Sequence, residues 1–242
     1  MPSKCNCMGK EKRSDEVMDW LGIAIAKGEY AEGQPIPTEP ELMALSGVGR
    51  STIREAIRVL GSLGVVETAP RRGTVVTERL RWNMLNRDVL RWVMASRGHA
   101  PELMSAINEA RLVFEPSAAA LVAQRATRMQ LIAIETAFAW METAAHNGDA
   151  EAAIAADRAF HLNILSATGN PILEAFDAAI DGVLGILFAV TANHMANYRE
   201  NLSNHLDILE AIRRCDPEAA RAAMVATITF TTRRMKEAGL VN

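Results

Sequence analysis

The sequence predicts a mostly α-helical protein in two parts. Three short helices and a β-hairpin come first, followed by an all-α bundle of six or seven helices. Composition carries this division. Of 40 alanines, 34 lie from Leu80 onward, whereas 9 of 15 glycines lie before it, although the later part is twice as long. Alanine is the strongest helix former, and glycine punctuates turns. Two domains are therefore expected, 1–79 and 80–242.

Each element of the first part has a local reason. Val17, Trp20, Leu21, Ala24 and Ile25 recur at helical spacing and predict a helix over 15–27, stopped by Gly28. Pro35 and Pro37 force 34–37 to be extended. Thr38 is an N-cap with Glu41 three residues on as its capping-box partner, and Pro40 fits the first turn of the helix that follows. Gly47 and Gly49 bracket a tight turn. A third helix starts near Ser51 with the apolar stripe Ile53, Ala56, Ile57, Leu60 and Leu63. Val65–Thr68 and Thr74–Thr77 read as strands, joined through Pro70, Arg71, Arg72 and Gly73.

Length, charge and cysteine content narrow the function. The chain has 242 residues and a net charge of −3, which excludes coating nucleic acid by bulk charge but not a local basic patch. The apolar run 182–190 is too short for a bilayer span, which needs about 20 residues. The first residues hold no apolar signal segment, so a cytoplasmic protein is expected. Three cysteines, Cys5, Cys7 and Cys215, form no disulfide framework.

The order helix, helix, tight turn, helix, hairpin is a winged helix-turn-helix. Arg50, Arg54 and Arg58 lie four apart on the third helix, off its apolar stripe, with Ser51 and Thr52 beside them, and Arg71 and Arg72 crown the hairpin. Between Leu45 and Val75 there are five basic and two acidic residues, a local +3. An isolated helix with this spacing would read as a solvated face. Here the arginines suit guanine edges in the major groove, and the wing suits phosphates or the minor groove. The block "RSTIREAIRVL" and the wing "RRGTVV" resemble the DNA-binding domain of the GntR family of bacterial repressors. That resemblance implies a dimer on palindromic operator DNA, with contacts from Arg50, Thr52, Arg54, Arg72 and Gly73. Pro40 stands where many members carry arginine.

In the second part Asp157 and His161 leave one face of a helix otherwise rich in Ala, Ile and Leu. Buried, they must pair with each other or hold a ligand. His205 lies on a later helix that must pack nearby. A carboxylate and two imidazoles form a common set for Zn, Ni, Mn or Fe, and equally a structural hydrogen-bonded network. The segments "DRAFHLNILSATGNPIL" and "NHLDILEAIRRCDPEAARAAM" resemble the FCD effector domain of the FadR-type branch. This implies a divalent metal on Asp157, His161 and His205. The fourth ligand position of that pattern falls on Thr227, so the set is incomplete. The segments "WNMLNRDVLRWV", "EARLVFEP" and "TTRRMKEAG" resemble the galactonate-type sugar-acid repressors. They imply that Arg111, Arg233 and Arg234 meet an acidic effector beside Asp157, His161 and His205. An internal salt bridge between Arg111 and Glu115 is the alternative for Arg111.

The expectation is a ligand-responsive DNA-binding transcriptional regulator, a homodimeric repressor sensing a small carboxylate such as a sugar acid. The competing class is a metal-dependent enzyme in a helical bundle. It leaves the winged helix unexplained, and no nucleophile or second carboxylate at matching spacing supports it.

Overall fold

The computed structural model describes residues 10–96, 100–176 and 195–239. Cys5, Cys7 and the apolar run 182–190 lie outside the described residues. The chain divides into two compact units, 1–100 and 101–242.

The first unit contains α1 (Lys10–Ala26), α2 (Glu39–Ser46), α3 (Arg50–Ser62), β1 (Val66–Ala69), β2 (Gly73–Val76) and α4 (Arg87–Met94), with one turn of 3-10 helix at Arg79–Arg81. The capping box forms as expected, for Glu41 accepts both the Thr38 backbone N–H and its hydroxyl at 2.7 Å. Gly47 ends α2 at φ +70°. Ile53, Ala56 and Leu60 of α3 are fully buried. The strands pair antiparallel from Val66 opposite Val76 to Ala69 opposite Gly73. The proline-bounded segment adds an edge to the hairpin: Ile36 N–H donates to Thr74, and Val76 N–H donates to Gln34, both at 2.9 Å.

The expected boundary at 79/80 falls inside this unit, because α4 packs on α1. Trp92 is fully buried, and its indole N–H donates to Asp19 Oδ1 at 3.0 Å. The ring lies flat over Gly22, where an added Cβ would stand 2.3 Å from it. Only glycine leaves room for the indole.

The second unit contains α5 (Ala100–Arg125), α6 (Arg128–Asn147), α7 (Ala150–Ala167), α8 (Pro171–Glu174), α9 (Met195–Arg213) and α10 (Pro217–Glu237). Thr127 with Gln130, Asp149 and Asp216 cap the starts of α6, α7 and α10. Helix α6 packs against α7 and α9, and α9 against α10. Ile134, Met141, Phe160, Ile208, Met224 and Ile228 are essentially inaccessible and form the bundle core.

Candidate DNA-binding and effector sites

On the first unit α3 turns its apolar stripe inward and leaves Arg50, Ser51, Arg54 and Arg58 exposed on one face. Thr52 does not join them. It is buried with the stripe, so the exposed hydroxyl in the first turn of α3 is that of Ser51. The arginines are held by carboxylates. Glu39, at the start of α2, receives Arg54 Nε on both oxygens at 2.9 and 3.0 Å and lies 3.8 Å from Arg50. Arg58 pairs with Glu55 at 2.6 Å. A carboxylate against Nε leaves the far end of the guanidinium free to meet a base edge. Arg54, Arg58 and Glu67 share a groove of about 430 Å³ with Gly73 of the wing.

The wing presents its two arginines differently. Arg71 stands at the tip at φ +61°, and Gly73 follows at +77°. Arg72 turns back and donates to the Gly33 carbonyl. Both are exposed. Glu39 escaped the sequence reading because its partners lie on α3, beyond the range of capping and periodicity. Its place at the head of a helix beside two arginines four apart was the available signal.

The second unit brings Asp157, His161 and His205 together, as expected from α7 and α9. One donor atom from each lies within 4.8 Å of the others, and all three residues are buried. His205 Nε2 is 3.1 Å from Asp157 Oδ1, and His161 Nε2 is 3.9 Å from Oδ2. Phe160 sets its ring edge against both imidazoles. Arg111 takes the bridged form, with Nε 2.5 Å from Glu115 Oε1 and both side chains inaccessible. That bridge continues onto a helix distant along the chain, because Glu115 Oε2 lies 2.6 Å from His161 Nδ1. A single buried string results: Arg111, Glu115, His161, Asp157, His205.

The partners orient the two rings. His205 Nδ1 lies 2.9 Å from the Asn201 carbonyl, which only accepts, so Nδ1 carries hydrogen and Nε2 faces Asp157. His161 Nδ1 lies 2.6 Å from a Glu115 oxygen, with its Nε2 on the Asp157 side. Ligating histidines characteristically hold their second nitrogen in this way, one on a carbonyl and one on a carboxylate. Burial pushes Glu115 up, but Arg111 and His161 outweigh it and bring it down to about 2. Burial likewise raises Asp157, and the contacts with His205, His161 and Arg111 carry it below the ordinary carboxylate range. The donor set therefore fits a cation, with both carboxylates ionised. Thr227 is buried on α10 and donates its hydroxyl to the Ala223 carbonyl at 3.0 Å, within its own helix.

Arg233 and Arg234 do not join the buried string. Arg234 pairs with Glu200 at 2.5 Å and Glu237 at 2.8 Å. Arg233 is exposed and lies 3.9 Å from Glu237, and both guanidiniums flank Phe230. Met235 beside them is buried, so the end of α10 divides between core and surface, which spacing along one helix does not reveal.

Comparison with known proteins agrees with both halves. Residues 13–76 match the family model for bacterial regulatory proteins of the gntR family, and 106–230 match the FCD domain. The chain is 36% identical over 226 residues to the galactonate operon transcriptional repressor of Escherichia coli K12, covering 93% of this chain and 97% of that protein. It is 30% identical to the HTH-type transcriptional repressor NanR of Cronobacter sakazakii, over 90% and 83% of the two chains. A solved structure of a Streptococcus agalactiae GntR protein superposes with a TM-score of 0.52 at 30% identity, covering 91% of this chain and 99% of that one. With a basic recognition helix and wing ahead of a polar string buried in a helical bundle, this chain belongs to the GntR family of DNA-binding transcriptional regulators, with an FCD effector domain.

Proposed function

We propose that the protein is a homodimeric repressor that releases operator DNA when a small carboxylate, such as a sugar acid, enters its helical domain. The buried string carries this reading. The string buries the negative charge of Glu115 and Asp157 beside one guanidinium, that of Arg111, in a dry interior. Such a charge is costly unless paired. Asp157, His161 and His205 would hold one divalent transition cation, Zn, Ni or Mn. When bound, that cation supplies open coordination positions for carboxylate oxygens. A divalent cation would offset that negative charge and would in turn attract a carboxylate.

Arg111 is held by Glu115 through Nε and, at 3.5 Å, Nη2, which leaves Nη1 to donate to the acid. Thr227, its hydroxyl engaged with the Ala223 carbonyl, would leave the fourth ligand position to the effector. The relatives support an acidic effector, one being the repressor of a galactonate operon. On the DNA side Arg50, Ser51, Arg54 and Arg58 enter the major groove, while Arg71, Arg72 and Gly73 meet the backbone or minor groove. Two heads on a palindrome require a two-fold dimer. The effector would shift the population between dimers that match and fail to match half-sites about 34–36 Å apart. No helix among the described residues is long and apolar enough to cross a membrane, and a cytoplasmic, non-catalytic sensor is the reading adopted.

The test is operator binding by the full-length protein, reloaded with Zn²⁺ or Ni²⁺, against a panel of sugar acids. At least one acid should lower operator affinity tenfold or more in the reloaded protein and much less after chelation. Equal release with and without metal removes the cation from the mechanism. No release by any acid rejects the carboxylate reading.

A further inference from the structure

Asn108 is a buried amide without an adequate partner. It lies on α5, 2% exposed, and its Oδ1 makes no hydrogen bond. Its Nδ2 reaches only the Met235 thioether, at 3.7 Å, and sulfur there is a weak acceptor. An unpaired buried carbonyl is expensive, and native interiors rarely keep one without a use.

The position gives the use. Asn108, Arg111 and Glu115 follow one another at i, i+3 and i+7, on the same stripe of α5. Glu115 touches His161, so the stripe leads away from the Asp157–His161–His205 cluster, past Arg111, to Asn108. The rise from Glu115 to Asn108 is about 10 Å. That length suits a short open-chain acid with its carboxylate at the cluster end. The cap over the amide is Met235, unbranched and readily repacked, so a ligand can displace it at little cost.

We propose that Asn108 reads a hydroxyl of the effector, its carboxamide oxygen accepting from, and its nitrogen donating to, a polyhydroxylated acid. A hydroxyl satisfies both ends of the amide, whereas an ammonium offers no acceptor and an alkyl chain offers nothing. This inference rests on the carboxylate-sensing reading above and adds the chemical class at the opposite end of the molecule. It also makes Asn108 the residue that discriminates a sugar acid from a plain acid of equal length. A site built to bond a hydroxyl rejects the analogue lacking it far more strongly than an apolar pocket rejects an added group.

The experiment compares full-length, metal-loaded wild type with Asn108→Leu and Asn108→Ala. Calorimetric titration uses galactonate and gluconate, set against hexanoate. Wild type should bind at least one hydroxylated acid tenfold or more tighter than its plain counterpart. In both variants that preference should collapse about tenfold, with affinity for the plain acid retained. The ligand-free melting temperature of Asn108→Leu should hold or rise, since an unpaired amide is replaced by an apolar group of similar size. Preference retained in both variants overturns the assignment, as does failure of both to fold, which would make the amide structural. Equal wild-type binding of hydroxylated and plain acids overturns it too, while leaving carboxylate sensing intact. If no acid binds and none releases the operator, the broader reading falls with it.

Discussion

Glu39 and the arginines it holds determine how the DNA face should respond to single changes. Arg54→Ala removes the guanidinium proposed to meet a base edge, and a good bidentate contact carries about 1–3 kcal/mol of discrimination. In a dimer the loss counts in each half-site. Specific operator binding should vanish in a gel-shift assay while the melting temperature stays near wild type. Glu39→Gln should act in the opposite sense on non-specific DNA. It frees Arg50 and Arg54 to follow phosphates and removes a negative charge from the interface. Non-specific affinity should rise, the specificity ratio should fall, and the salt dependence should steepen by about one phosphate contact. An unchanged ratio would mean that Glu39 is only a helix-end carboxylate. In the helical domain, His161→Ala should abolish metal uptake. At metal concentrations a hundredfold above Kd, the wild-type protein should be more stable than the variant by about 2.7 kcal/mol from the cation alone. Thr227→His should raise metal affinity by completing the donor set, as titration with Zn²⁺ would report.

At the scale of elements, what could be read along the chain was whatever local chemistry decides. The Thr38–Glu41 box, the left-handed stop at Gly47, the α3 stripe and the Asp216 cap all depend on neighbours within one or two turns, and all appear in the fold. The pairing of Asp157 with His161 is likewise a four-residue matter. The third member, Glu115, sits on a helix far away in sequence, so only the fold could join Arg111's salt bridge to the imidazole. Arg233 and Arg234 were placed with the effector by resemblance, yet their partners are the surface carboxylates Glu200 and Glu237. Helix α4 shows the same limit. Val89, Leu90, Trp92 and Val93 are buried, a pattern that announces an amphipathic helix without saying which neighbour it covers. Gly22 is that neighbour. Gly22→Ala places a methyl inside the Trp92 ring and should cost about 1–3 kcal/mol as α4 is pushed from α1. Urea unfolding should show the loss, with tryptophan emission shifted toward that of a wetter indole. Undiminished stability would mean that the ring has another resting place.

For the whole molecule, the division into units at residue 100 matters more than the number of helices in each. A head that ends at 79 keeps the residues proposed to contact DNA but loses α4 and the burial of Trp92. A fully buried side chain of this size contributes on the order of 2–3 kcal/mol, a large part of a small domain's margin. A fragment of residues 1–100 should therefore melt well above one of residues 1–79, which calorimetry of the two would show. Equal melting would make α4 an appendage of the head. The same arithmetic bears on inheritance by exchange. The head and the sensing domain match separate family models, over residues 13–76 and 106–230. A crossover just after the wing would separate Trp92 from the glycine it needs, so each hybrid would begin life with an ill-fitting collar. A crossover near residue 100 passes head and collar on together, and leaves the sensor free to come from another lineage.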